Sequence, residues 1–499
     1  MLKLLAQIMF LILCKGSLMT DKDQATSDEA VGFGYSGEES VSSASGQPVG
    51  EEQTASTPET ATFFPKWRLV PNLQPGQMIA PDERLPMGQS VVMGVQHVVA
   101  MFGATVLGPL LMGFDANLAV LMSGIGTLIF FFLVKGQVPS YLGSSFAFIG
   151  GVVSVTAYSG SGLNANIGVA LGAIIICGLI YTLIGLVIWH FNAKGSAAAV
   201  IERLMPPVVT GAIVAVIGLN LAPVAAKGAM ASGSTYDAVM AIVTMTSVGL
   251  VAVFTRGMLQ RLLILVGLVL SYLLYYVFSN LLGFGTPVDL SAVAAAPWFG
   301  IPTFYKPEFQ LSAITVIAPV AIILVAENLG HIRAVSAMTG RNLDQYLGRA
   351  FVGDGVATMV AASVGGTGVT TYGENIGVMS VTRIYSTLIF VIAAIFAIIL
   401  GFSPKFGALI HSVPAPVLGG VSVVVFGLIA IAGARIWVIN RVDFSDNRNL
   451  IVAAIAVILG AGNFTIELGF FKFEGIGTAT FGAILLYQLL SLKRDNKKS

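Results

Sequence analysis

Glu327 and Glu374 stand inside long apolar stretches, where an ionised side chain is costly and is kept because it binds or carries something. They occur in Ala326-Glu327-Asn328-Leu329-Gly330-His331 and Thr371-Tyr372-Gly373-Glu374-Asn375-Ile376-Gly377. These two are read as the only carboxylates lying well inside the hydrophobic segments. Spacing i to i+4 puts Glu327 and His331 on one helical face, which suits a proton-linked pair. Gly373 permits close backbone approach, and Glu374 with Asn375 opens a short helix whose first N–H groups lack intrahelical partners. Backbone donors, an amide and a carboxylate in one place match a small planar molecule carrying ring N–H and C=O groups. Two carboxylates repel a simple anion, and a metal cation wants a denser oxygen cluster. The alternative is a structural role, with each carboxylate satisfied by a polar neighbour on another helix.

The elements that must hold these residues are membrane helices. With 56% hydrophobic and 10% charged residues over 499 positions, the chain lies far from the roughly 25% charged of a soluble domain. A formal net charge of +1 offers no surface for nucleic acid. The two cysteines, Cys14 and Cys177, make neither a disulfide framework nor a zinc site. No nucleophile-base pair or phosphate-cradling loop stands in a soluble portion, and His190 and His411 lie apart near segment ends, so an enzyme is not expected.

Apolar runs divide the chain into about fourteen helical segments, most near the roughly 20 residues that cross a bilayer. They lie at about 88–113, 117–135, 144–158, 166–191, 204–224, 237–255, 260–283, 309–333, 349–366, 372–383, 384–403, 415–433, 449–466 and 474–491. Segments 144–158 and 372–383 are too short to span and follow Pro, Gly, Ser and Thr. Such half-helices mark the binding site in many transporters. Gly143 and Gly373 lie ~230 residues apart, and the same shift carries His97 onto Glu327, which predicts a seven-plus-seven inverted repeat.

Basic residues set the orientation. Entry of the first segment from the cytoplasm puts Lys135, Lys194, Arg203, Arg256, Arg341, Arg383, Arg441 and the Lys493–Lys498 tail inside, against Lys227, Lys306, Lys405 and Lys472 outside. Both ends of the membrane domain are then cytoplasmic. Residues 1–79 are expected to be an N-terminal extension, disordered over its Ser-, Thr- and Gly-rich part. The apolar run Leu4–Cys14 is read as dispensable rather than as a working signal.

The run Glu374-Asn375-Ile376-Gly377-Val378-Met379-Ser380-Val381-Thr382-Arg383 resembles the signature of the nucleobase-ascorbate transporter family, the nucleobase:cation symporters. Gln96-His97 through Thr105, Pro139-Ser140-Tyr141-Leu142-Gly143-Ser144-Ser145-Phe146-Ala147-Phe148 and Glu327 to His331 resemble its uracil permease branch. Ala80–Pro86, Val325–His331 and Ala432–Val438 are similar to bacterial pyrimidine permeases. The resemblance covers about residues 80–492.

It implies an all-α polytopic fold of fourteen segments, with a core (about 88–191 and 309–403) moving against a gate (about 197–284 and 407–492) and a basic tail at 493–499. It implies short β-strands before half-helices 3 and 10. Glu327 and Glu374 would hydrogen-bond the pyrimidine ring, and the N–H groups of Phe146 and Gly373 would hold its carbonyl oxygens. Ala104 and Tyr372 would line the pocket beside Ser145 and Asn375. His331 would aid proton coupling with Glu327. Asn328 stands where the best-known uracil permeases carry His. The implied activity is import of uracil and related pyrimidines by proton symport at the inner membrane, with no cofactor beyond the coupling proton. A purine or xanthine permease of the family, or an anion transporter of the same fold, is the alternative. A homodimer is one outcome the sequence leaves open.

Overall fold

Proline, glycine and aspartate punctuate the helices. Helix α1 (Met87–Met112) begins after Pro86 and stops at Gly113, whose φ of 72° closes the end: its N–H donates to the Leu110 carbonyl and the Phe114 N–H to the Pro109 carbonyl. Two residues later Asp115 opens α2 (Ala116–Leu133), its carboxylate accepting from the N–H groups of Asn117 and Leu118. The computed structural model describes residues 64–71, 77–158, 162–192, 202–468 and 471–495. The expectations for residues 1–63, 72–76 and 496–499, and for Lys194, lie outside the described residues.

The helices that follow are α3 (Ile149–Thr156), α4 (Ile167–Asn192), α5 (Pro207–Asn220), α6 (Thr235–Phe254) and α7 (Leu263–Tyr276). After them come α8 (Val320–Thr339), α9 (Leu347–Val364), α10 (Gly373–Thr382), α11 (Thr387–Gly401), α12 (Ala415–Ile439), α13 (Asn447–Ala461) and α14 (Gly475–Asp495). Each expected segment overlaps one of them, and shorter helices at Ala222–Ala229, Met258–Arg261, Ser291–Ala295, Leu311–Ile317 and Pro404–His411 lie between them, so that the expected 309–333 segment is divided between Leu311–Ile317 and α8. Among the described residues, nine helices are long and apolar enough to cross a membrane, or ten if Thr387–Gly401 and Pro404–His411, bent by 80°, make one span.

Glycine lets α4 and α9 pack at backbone distance, which lipid rewards because helices there gain from contact rather than from the hydrophobic effect. A Cβ on Gly178 would lie 2.9 Å from the Gly355 carbonyl oxygen, and one on Gly185 2.6 Å from the Val352 nitrogen. Gly172 of α4 also packs at backbone distance, against the loop at Glu308.

The strands are few and short. β1 (Arg68–Leu69) pairs with β2 (Glu83–Arg84), and β5 (Ile466–Leu468) with β6 (Phe471–Phe473). The functional pair is β3 (Leu142–Ser144) and β4 (Val369–Thr371), antiparallel, with Gly143 opposite Thr370. Every residue of β3 and β4 is buried. Their outer edges are closed by hydroxyls in the same way: Thr127 of α2 receives the Leu142 N–H at 2.9 Å, and Thr358 of α9 receives the Val369 N–H at 3.1 Å. A buried strand edge would otherwise leave backbone groups unpaired.

Candidate functional site

Two half-helices begin where β3 and β4 end, and the strands fix where they begin. Ser145 N–H donates to the Gly368 carbonyl at 3.0 Å, and Tyr372 N–H to the Tyr141 carbonyl at 2.9 Å. One residue on from each bond stand Phe146 and Gly373. Because the strands are antiparallel, the half-helices leave opposite ends of the ladder and run off in opposite directions. Both positive helix ends therefore lie at the same short ladder, which favours acceptor atoms there.

The first half-helix opens on a 3-10 turn, Phe146–Phe148, that runs into α3 and is capped by Ser145, whose Oγ accepts from the Ala147 N–H at 3.3 Å. The second has no side-chain cap at Tyr372. The ground around Gly373 is open: within 4 Å of a Cβ placed there lies His331 Nε2, at 3.5 Å. Glu374, in the first turn of α10, and Glu327, on α8, are both half-buried and close enough for their charges to interact.

His331 follows Glu327 by about one helical turn. Its Nδ1 lies 2.9 Å from Thr371 Oγ1. Thr371 in turn donates to Asn328 Oδ1 at 3.4 Å, and Asn328 Nδ2 donates to Asp354 Oδ2 at 2.5 Å and to the Tyr181 hydroxyl at 2.9 Å. The tautomer that satisfies this order carries the proton on Nδ1 and leaves Nε2 as an acceptor facing Gly373.

Asp354 corrects the sequence expectation of only two membrane carboxylates. It sits in the middle of α9 at 0% exposure. Thr370 also donates to its Oδ2, at 3.4 Å, while its Oδ1 has no partner. The rule that found Glu327 and Glu374, an acidic residue in an apolar run, applies equally to Phe351-Val352-Gly353-Asp354-Gly355-Val356.

Other expected site residues divide. Phe146 is half-buried, its ring edge-on to Phe426 of α12 at 6.3 Å, and Ala104 is buried on α1. Tyr372 is nearly buried and braces the strand, its hydroxyl donating to the Ser144 carbonyl at 2.9 Å and accepting from Thr105 Oγ1 at 3.2 Å. Asn375, expected at the substrate, is turned to α1 instead. Its fully buried amide nitrogen donates to His97 Nδ1 and to the His97 carbonyl, each at 3.0 Å. Third in the helix, it falls on the face packed against α1 rather than on the open end. His97 completes that contact by packing its ring 4.7 Å from Phe390.

A cavity of about 300 Å³ lies beside α3, lined in part by Ala147, Gly151, Asn220, Val320, Ile323 and Glu474. It ends next to Phe146 and one turn before Glu327, but neither carboxylate of the pair lines it. Among the described residues, no group of three or more His, Cys, Asp or Glu is placed to hold a metal ion.

A sequence model described as "Permease family", of xanthine and uracil permeases, matches residues 88–469. RutG of Escherichia coli (strain K12), named as a pyrimidine permease, is 63% identical over 430 residues, covering 86% of this chain and 96% of its own. A protein of Paenibacillus larvae named uracil permease is 42% identical over 421 residues, covering 82% and 96%. Among solved structures, the transmembrane domain of the cyanobacterial bicarbonate transporter BicA superposes with a TM-score of 0.56 at 15% identity, over 80% of this chain and 97% of that one. That last likeness speaks to fold alone.

Proposed function

The chain belongs to the xanthine and uracil permease family, and from that premise we propose that it imports uracil and related pyrimidine bases by proton symport. It is a multi-pass membrane transporter and not an enzyme. The observation that carries the reading is the antiparallel ladder of β3 and β4 from which two half-helices start, with Glu374 in the first turn of one and the Glu327 helix tied to the ladder through His331 and Thr371. Backbone donors at Phe146 and Gly373 suit the two carbonyl oxygens of a uracil ring, and the carboxylates suit its two N–H groups.

The architecture we propose is fourteen membrane segments in a seven-plus-seven inverted repeat, with both ends of the membrane domain in the cytoplasm. The matched bonds of Thr127 to Leu142 and Thr358 to Val369 support the repeat. In it α1–α4 and α8–α11 form a core that carries the site, and α5–α7 with α12–α14 form the gate it moves against. The contact of Phe146 with Phe426 is then a core-to-gate contact at the substrate.

Glu327 is the proton carrier in this reading and Glu374 the selector of the base. The chain from His331 through Thr371 and Asn328 to Asp354 supports a coupled proton, because each member can pass a change in protonation to the next. Alternating access then needs only that protonation and base binding favour the same conformation.

The test is uptake of radiolabelled uracil by cells producing the protein. Uptake should fall on collapse of the proton gradient and with Glu327→Gln or Glu374→Gln. Full-rate uptake in both variants, or indifference to the gradient, sinks the mechanism. Competition by thymine and xanthine distinguishes a pyrimidine carrier from a purine carrier of the same family.

A further inference from the structure

Ahead of the first membrane helix, residues 64–71 and 77–86 lie across the ends of three elements that build the site. Ile79 forms a parallel bridge with Ile384: its N–H donates to the Arg383 carbonyl at 3.0 Å, and the Tyr385 N–H donates back to its carbonyl at 2.8 Å. Thr387 donates both its N–H and its hydroxyl to the Pro81 carbonyl, at 3.1 and 3.0 Å. Trp67 Nε1 donates to the Thr387 hydroxyl at 3.0 Å. Arg383, in the left-handed region at φ 56°, ends α10, and Thr387 begins α11. The turn that closes the Glu374 half-helix is therefore stitched down along its length.

The other attachments go to α8 and α2. Asp82 pairs with Arg341, the residue after the Gly340 that ends the Glu327 helix. Phe64 and Trp67 both stack on Phe131 of α2, at 5.6 and 6.0 Å, about one turn from the Thr127 that closes the edge of β3. Ile79, Leu85, Ile384 and Ile389 bury a small apolar cluster of their own, separate from the main core.

We propose that these segments form a strap that sets the ends of α8 and α10 relative to one another and so holds Glu327 and Glu374 at the spacing a base requires. The inference rests on the transport reading above. A helix of ten residues is marginal by itself, so α10 is only as well placed as its two ends. β4 holds the first end and the strap holds the second. Trp67 and Asp82 are positioning residues, since neither touches the candidate site.

The experiment uses the full chain in membranes, with Trp67→Ala, Asp82→Arg, and the swap Asp82→Arg with Arg341→Asp. Uracil KM, maximal uptake rate, protein level and Tm are read for each. Loss of the Trp67 bond should raise KM roughly fivefold at unchanged protein level. Asp82→Arg should raise it less, since the pair is half-exposed, and the swap should return it toward the parent value. A strap that merely staples the fold would lower Tm and leave KM alone, which overturns the proposal. So would a parent KM in every variant. If the parent chain itself takes up no uracil, the transport reading fails, and the strap then stands or falls on whether Trp67→Ala alters the protection of a cysteine placed at Gly373 from a thiol reagent.

Discussion

His331 Nδ1 lies 2.9 Å from Thr371 Oγ1. The histidine one turn beyond Glu327 is thus held by the strand that leads into the Glu374 half-helix, and Thr371 joins the two carboxylate-bearing elements. Thr371 passes the connection on to Asn328 and through it to Asp354.

Glu374→Gln should cost at least about tenfold in uracil transport efficiency, because an amide in place of a carboxylate sets a donor against a ring N–H and leaves it unpaired. The same change should strengthen competition by xanthine, since an amide offers a donor as well as an acceptor to a larger ring. Uptake with a competition panel reads both effects.

Thr371→Val removes the hydroxyl that orients His331 and keeps the side-chain volume. Proton-driven accumulation should fall several-fold, as expected for loss of a hydrogen bond of ~1 kcal/mol or more. Uracil counterflow, which needs no net proton movement, should fall less. Equal losses in the two assays would remove His331 from the coupling path.

Asp354→Asn should fold, because the amide oxygen can replace Oδ2 as acceptor for Asn328 and Thr370 while the NH₂ takes the unpartnered Oδ1 position. It cannot take up and release a proton in the same range, so accumulation against a gradient should collapse. Asp354→Leu leaves buried donors unsatisfied, at roughly 1–3 kcal/mol for each group, and should also lower Tm. A fully active Asp354→Asn variant would make Asp354 a purely structural acceptor.

Gly143→Ala should abolish uptake and reduce the amount of folded protein. A Cβ at this position would stand 2.5 Å from Tyr372 Cε2 and 2.6 Å from Thr105 Oγ1, and the backbone of a paired strand has no room to shift. Gly330→Ala, where nothing lies within 4 Å of the added carbon, is the control and should be nearly silent.

Much of the site was legible because its residues break a rule the rest of the chain obeys. Glu327 and Glu374 are conspicuous as charges in apolar runs, and the half-helices as runs too short to span. Asp354 breaks the same rule and was missed. Asn375 was read correctly as an early half-helix residue, but the way its side chain turns was not legible: its place in the sequence is the same for either face of α10, and packing against His97 chose the face. The glycine spacing is a weaker guide to the proposed repeat, since glycine marks close approach without saying to what.

By itself the sequence determined the class of protein, the course of its helices and the two carboxylates proposed for the site, because bilayer thickness and the cost of buried charge act on each segment locally. Only the tertiary structure decided which polar groups meet: that β3 lies beside β4, that Asp354 stands behind Asn328, and that residues before the first span clasp the end of α10. These are contacts between residues far apart in the chain, and no local pattern of hydropathy encodes a partner.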